Sequence, residues 1–276
     1  MAGKTVEALN GYKIEWIDRQ RLQDLARHLL AQRLDGVGIN PYNRWDGKPA
    51  DVELLPDDLR ALAVPFADKV GVTQERLQRL PRLEFLLLAE YTGAADIGGD
   101  SFRIVRVQLT RKIRLSGMPN LRLFYVRGFD KWLPMSKWPS LPVLAQLEIN
   151  QGNATNLAGV DRFRNLEEAE LYHLRSLSSI QGLERPPRLR KLRIESCRKV
   201  KDIGEVVGQL RSLKVLHLID CGTLPDLEFI RGLQLRELRF GRTVIGNGDL
   251  SPIDAIPVVA FDEHNHYNRE PRESLA

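Results

Sequence analysis

Cys197 and Cys221 stand 24 residues apart. Two thiols at a fixed spacing could serve as a redox pair or as half of a metal site, chemistry that needs accessible thiolate. His264 and His266, in the run DEHNHY beside Asp262 and Glu263, form an H-x-H group of the kind that can ligate a divalent cation. No second Cys/His group with ligand spacing accompanies them, so a solvated or capping terminal segment is the plainer reading and no metal is expected. His28, His173 and His217 have no nucleophile or carboxylate at a recognisable motif spacing. Gly3-Lys4-Thr5 imitates the end of a phosphate-binding loop, but the first glycine and the preceding strand are missing, so no cradle of backbone N–H groups can form. The sequence contains no GxSxG, HExxH, CxxC or EF-hand loop, and no catalytic residue or cofactor is expected.

The elements that position these residues come from a repeat. The triplet "apolar, two residues, apolar, one residue, apolar" recurs in one phase at Leu83/Leu86/Leu88, Phe102/Val105/Val107, Leu121/Phe124/Val126 and Leu144/Leu147/Ile149. It continues at Leu166/Ala169/Leu171, Leu189/Leu192/Ile194, Leu213/Leu216/Leu218 and Leu235/Leu238/Phe240. Fainter copies lie at Leu34/Val37/Ile39, Leu59/Leu62/Val64 and Ile256/Val259/Phe261, making eleven at steps of 19 to 25 residues. A short strand alternates its faces, so the fourth and sixth residues of each unit point one way and the third, fifth and seventh the other. One unit cannot bury its apolar face alone, whereas stacked neighbours can.

LRKLRIESC (189–197) and LKVLHLIDC (213–221) carry the full pattern L-x-x-L-x-L-x-x-C, and on these residues the chain resembles the leucine-rich repeat family. The resemblance implies an α/β repeat solenoid: a curved stack with a concave parallel β-sheet and short 3₁₀ or helical convex segments. The ninth position turns inward in such repeats, which gives Cys197 and Cys221 a structural role. In three repeats that position is Phe129, Gly152 and Leu174, so the neighbouring rungs are expected to be less regular. Residues 1–33 read as a helical N-terminal cap, with Leu22, Leu25, Ala26, Leu29 and Leu30 on one helical face. The solenoid then occupies 34–261, irregular in its first repeats, and 262–276 reads as a capping tail. The stretch 40–53 reads as a loop, and three prolines exclude a regular helix from 132–142.

Residues on the concave face are free of core duty. Two features mark it. The first is an apolar stretch over three rungs, Phe85, Leu87, Ile104, Leu123 and Tyr125, with Arg106 and Arg127 beside the tyrosine. A contiguous apolar patch with Tyr and Arg is interface chemistry. Two alternatives stand beside that reading: the long N-terminal segment folds over the patch, or a one-residue slip in phase turns it into core. The second feature is a change of sign, from Glu148, Glu168 and Glu170 to Lys191 and Arg193. Glu168 and Glu170 should lie beside Lys191 and Arg193, as a ladder of ion pairs or as a bipolar surface that orients a partner. Tyr172, His217 and Arg239 complete the candidate partner-binding set on this face.

Composition sets the remaining bounds. The chain has 276 residues, is 43% hydrophobic and 28% charged, and carries a net charge of +5 with a pI near 9.3. That excludes a disordered chain and a disulfide-stapled miniprotein. Acidic residues interleave with the basic ones, and the mixed signs argue against a phosphate-tracking surface, which makes nucleic acid the lesser alternative. No run approaches the roughly 18 apolar residues of a membrane helix, so no membrane partner is expected. No secretory leader is visible and only two cysteines are present, so the expected location is the cytoplasm. The arrangement looks like free-standing bacterial leucine-rich-repeat proteins. That resemblance implies a non-catalytic module binding another protein, with an inhibitor or immunity partner of a toxin as the finer reading. A translocated effector that binds a host protein is the alternative, and an enzyme is the remotest class.

Overall fold

The computed structural model describes residues 6–43 and 45–271; Gly3-Lys4-Thr5 and the last five residues of the tail lie outside them. Within them, each apolar triplet of the sequence marks one strand of a parallel stack. The second and third members point into the core from the strand, and the first closes the turn before it. Leu189, Leu192 and Ile194 are buried in this way, and so are Leu213, Leu216 and Leu218. The chain divides into two compact units, residues up to Tyr125 with Pro139–Leu141, and Val126–Trp138 with Pro142 onward.

The first unit contains β1 (Val6–Leu9), β2 (Tyr12–Trp16), α1 (Leu25–Gln32), β3 (Gly36–Gly38), β4 (Ala61–Val64), α2 (Ala67–Val70), α3 (Gln74–Gln78), β5 (Phe85–Leu88), β6 (Ala95–Ile97), β7 (Ile104–Gln108) and β8 (Ile113–Leu115). β1 and β2 form an antiparallel hairpin, and from β2 the pairing runs parallel in the order β2-β3-β4-β5-β7. β6 and β8 make a small parallel pair of their own. β9 (Leu123–Phe129) carries the chain from the first unit into the second.

The second unit contains β10 (Gln146–Gly152), β11 (Glu168–Tyr172), β12 (Lys191–Glu195), α4 (Ile203–Val207), β13 (Val215–Ile219), β14 (Gly222–Leu224), β15 (Glu237–Phe240), β16 (Thr243–Ile245) and β17 (Val258–Phe261). Its strands pair in parallel as β10-β11-β12-β13-β15-β17, with β14 and β16 paired on the return side. Between strands the chain comes back through α4 or through single 3₁₀ turns at Val160–Arg162, Glu228–Ile230 and Ser251–Ile253. Repeats of this length leave no room for more. Both units are therefore built as leucine-rich-repeat stacks, and the register confirms the phase of the triplets: Leu192 lies beside Ala169 and Leu216, and Leu86 beside Leu62 and Val105.

At the ninth repeat position Cys197 and Cys221 are buried, and their thiols donate to backbone carbonyls, Cys197 to Glu195 at 3.3 Å and Cys221 to Ile194 at 3.3 Å. Thr243 extends this ladder: its hydroxyl donates to the Leu218 carbonyl at 2.8 Å and accepts from the Cys221 amide at 3.0 Å. Where the position is Phe129 or Gly152, β9 and β10 run to seven residues each, against five in β11, β12 and β13. Phe129 fills its place in the core with Trp138 at 5.7 Å between ring centroids, and Trp138 in turn lies 6.2 Å from Phe163. Gly152 adopts φ +141°, and a Cβ there would meet the Phe129 carbonyl at 1.8 Å. Only glycine lets the two backbones approach this closely.

Three expectations change. Ahead of the helical segment, Val6–Trp16 forms the β1–β2 hairpin rather than helix, because Asn10 and Gly11 take positive φ and close a tight turn. The helical stripe is narrower than periodicity suggests. A 3₁₀ turn at Gln20–Asp24 precedes α1 and resets the phase, so Leu22, Leu25 and Leu29 are buried while Ala26 and Leu30 face solvent. The loop at 40–53 gives way to a 3₁₀ helix at Pro49–Leu54, where Pro49 starts the turn and the Asp51 carboxylate accepts from the Lys48 amide at 2.7 Å. In the segment 132–142 only the 3₁₀ turn Met135–Lys137 forms, as its prolines require.

Candidate functional site

The register of the first unit lines Ile14, Gly36, Ala61, Phe85 and Ile104 into one row of the open sheet face. Trp16, Gly38, Ala63, Leu87 and Arg106 form the next row. Glycine and alanine leave this face hollow, and the hairpin fills it. Tyr12 reaches across to Phe85, 5.6 Å between ring centroids, and its hydroxyl donates to Glu84 Oε2 at 2.9 Å. At the hairpin tip Asn10 Oδ1 accepts from Arg106 Nη1 at 3.3 Å. Phe85 is in consequence 0% exposed, in a cluster with Ile14, Ala61 and Ala63 against which Leu9, Tyr12, Trp16, Leu87 and Ile104 pack. The expectation that Phe85 belongs to an exposed patch is corrected: the phase is right, and the N-terminal segment folds over it. Leu87, Ile104, Leu123 and Tyr125 remain half-buried, with the Arg106 guanidinium 4.5 Å from the Tyr125 ring.

On the second unit's open face the rows carry long polar side chains. Lys191 Nζ lies 2.5 Å from Glu170 Oε1 and 3.7 Å from Glu168 Oε2. Gln146 also donates to Glu168, at 3.2 Å. Glu170 and Arg193 are lateral neighbours, as the repeat spacing requires, yet Arg193 does not bond it. The Glu170 carboxylate already accepts from Lys191 and from the Tyr172 hydroxyl. Arg193 turns along its own strand to Glu195, 2.6 Å away, and its guanidinium sits 5.3 Å from the Tyr172 ring. Burial by itself would raise the Glu170 carboxyl, but the hydrogen bonds from Lys191 and Tyr172 outweigh it and hold the group below its ordinary value. Glu148 stands beside Glu170 in the register, and exposed Arg127 donates from Nε to Gln151 Oε1 at 3.0 Å.

Further along, His217 Nε2 lies 2.8 Å from Glu237 Oε1, an oxygen that also accepts from Arg239 Nε at 2.7 Å. Burial lowers the His217 imidazole below its ordinary value in spite of Glu237, so it is neutral at pH 7 and donates to the carboxylate. Arg193, Glu195, His217, Ile219, Glu237 and Arg239 line a recess of about 680 Å³. Every charge named here has a counter-charge within reach. The recess thus offers oriented donors and acceptors to a polar surface, and it holds no nucleophile.

The other chemistry-bearing residues lie elsewhere. Burial pushes the Cys197 thiol up to about 11 and the Cys221 thiol up to about 12, so neither is poised as a thiolate. His266 Nε2 bonds the Ile245 carbonyl at 2.9 Å, and the Tyr267 hydroxyl accepts from the Ile245 amide at 2.8 Å. The tail before residue 272 is thereby pinned to the last return segment. Among the described residues no group of three or more His, Cys, Asp or Glu is arranged to hold a metal, and no helix is long and apolar enough to cross a membrane. Sequence reasoning missed Tyr12 and Glu84 as the clasp over Phe85, since nothing in the repeat connects residues 72 positions apart.

No family model matches the sequence, and no curated protein matches it. Among solved structures, the chain is similar to an internalin, InlF, of Listeria monocytogenes at 16% identity, covering 84% of this chain and 82% of that one, with a TM-score of 0.45. It is also similar to internalin C2 of the same organism at 15% identity, covering 78% and 84%, with a TM-score of 0.40. A plant peptide hormone receptor, RGFR1, in complex with RGF2, matches at 12% identity over 95% of this chain and 53% of that one, with a TM-score of 0.40.

Proposed function

We propose that this chain is a non-catalytic protein-binding module that receives its partner on the open face of the second unit, over Tyr172, Lys191, Arg193, His217 and Arg239, with Arg127, Glu148, Glu168 and Glu170 on the same face. The observation that carries this reading is the Tyr172–Glu170–Lys191 and Arg193–Glu195 network. It holds Tyr and Arg, the side chains that most often anchor interfaces, in fixed positions before any partner arrives. Side chains already ordered lose less entropy on docking.

The test is affinity capture from the native cell, comparing wild type with Tyr172→Ala/Arg193→Ala. Both side chains are half-buried on an open face, so the variant keeps its fold by circular dichroism. One stoichiometric protein, present with wild type and lost with the variant, is the expected result; retention by the folded variant overturns the assignment. The identity of that protein decides the finer reading, an inhibitor or immunity partner if it is a toxin, an effector if it is a host protein.

A further inference from the structure

The residue just before each strand forms a row along the strand-start edge, and this row differs between the two units. In the first unit it reads Arg60, Glu84, Arg103, Arg122, joined by backbone hydrogen bonds from Glu84 N to Arg60 O, from Arg103 N to Glu84 O and from Arg122 N to Arg103 O. Glu84 sits between two of the arginines and pairs with both, 3.1 Å from Arg60 and 3.6 Å from Arg103, while Asp35 takes the other side of Arg60 at 2.7 Å. In the second unit the same row reads Glu167, Arg190, Lys214, Arg236, each amide again donating to the carbonyl of the residue before it in the row at 2.8 Å. Three cations therefore succeed one another at about 4.8 Å per rung. Among the described residues neither Arg190 nor Arg236 has an ion-pair partner, and Lys214 reaches only the backbone and side-chain oxygens of Gln234, at 3.3 and 3.2 Å. Arg211, beside them, donates to the Gly232 carbonyl at 3.1 Å. These residues line a recess of about 760 Å³.

We infer that this edge of the second unit is an interaction surface for an acidic peptide segment of a protein partner, with Arg190, Lys214 and Arg236 receiving its carboxylates. Like charges set directly side by side on a sheet repel, and a carboxylate-bearing chain laid along the row relieves that repulsion while gaining paired contacts. The row is short and bounded. Glu167 and Glu168 stand at one end, and beyond Arg236 the row reaches uncharged Pro257. A track about 10 Å long matches two or three carboxylates of a short peptide. A nucleic-acid backbone asks for a longer run of cations and meets the two glutamates with repulsion. The inference rests on the protein-binding reading for the class of partner, but its test uses a synthetic probe and so fails separately.

The experiment is fluorescence anisotropy of the full chain with a labelled Glu/Ser peptide of about ten residues, and in parallel with a labelled oligothymidylate of similar length. The peptide is expected to bind at low salt, with affinity falling as salt screens the contacts. Arg190→Gln/Lys214→Gln/Arg236→Gln should weaken it by about tenfold or more, since three exposed charge pairs are lost together. A charge-matched control in the first unit, Arg111→Gln/Lys112→Gln/Arg114→Gln, should leave it unchanged. Absence of peptide binding at low salt, or equal weakening by the two triple variants, overturns the inference. Tighter binding of the oligonucleotide, lost in the same triple variant, overturns it in favour of a nucleic-acid edge.

Discussion

Each unit is built on the same repeat phase, and the two treat their open faces in opposite ways. In the first, Gly36, Gly38, Ala61 and Ala63 leave a hollow that the chain's own N-terminal hairpin fills with Tyr12, Ile14 and Trp16. A Cβ on Gly38 would come within 2.3 Å of the Trp16 ring, so the ring has its place only because residue 38 is glycine. In the second, β11, β12 and β15 carry long side chains that occupy their own space and satisfy one another as ion pairs. A face of small residues behaves as core once something large covers it. A face of long charged residues stays a surface, because covering it costs the hydration of every charge. Apolarity on a repeat face is accordingly a statement about burial by the chain itself as much as about a partner.

The largest test of this contrast is a pair of truncations read by denaturant unfolding. Phe85→Ala should destabilise the protein by about 3–5 kcal/mol, as for any fully buried aromatic, whereas Tyr172→Ala should cost about 1 kcal/mol. Equal losses would mean that the two faces are not different in kind. A smaller effect isolates the clasp. Tyr12→Phe removes only the hydroxyl donated to Glu84 and should cost about 1 kcal/mol at neutral pH. Burial, helped by the Glu84 carboxylate, pushes the Tyr12 hydroxyl up to about 12 from 10. The unfolded chain therefore releases this proton first. Its contribution is full below pH 10 and disappears as pH rises toward about 12. Unfolding midpoints at pH 9 and 11 should fall further in wild type than in Tyr12→Phe, and parallel falls would show that Tyr12 is not the group concerned.

The smallest effect belongs to the second unit. His217 is held below its ordinary value near 6.5, so the unfolded chain takes up the proton first as pH falls. Its contribution to stability is present above pH 6.5 and is lost on acidification, the reverse of the Tyr12 case. His217→Gln should flatten the acid limb of the stability profile slightly and leave the alkaline limb alone. An unchanged acid limb would mean that His217 titrates alike in the folded and unfolded chains.

Much of this was legible in the residues. The lateral pairing of Glu168 with Lys191 and of Glu170 with Arg193 follows from counting along the repeats, and the register agrees. Which atoms then bond was not legible: Lys191 takes Glu170, and Arg193 turns to Glu195, because Tyr172 competes for the same carboxylate. Thr243 could have been read at the ninth position beside Cys197 and Cys221, since it follows Leu235 at the same spacing. The stretch before residue 34 has no repeat to anchor it, and there helical periodicity misplaced Ala26 and Leu30.

The sequence by itself determined the architecture and the phase of the strands that the eleven triplets mark. A period repeated eleven times leaves one arrangement in which all the leucine positions are buried together, and a slip of one residue would expose them all. The tertiary structure alone decided which part of the open face is surface. That outcome depends on contacts between residues far apart in the chain, Tyr12 with Glu84 and Asn10 with Arg106. Local periodicity specifies which way a side chain points, but not what comes to lie over it.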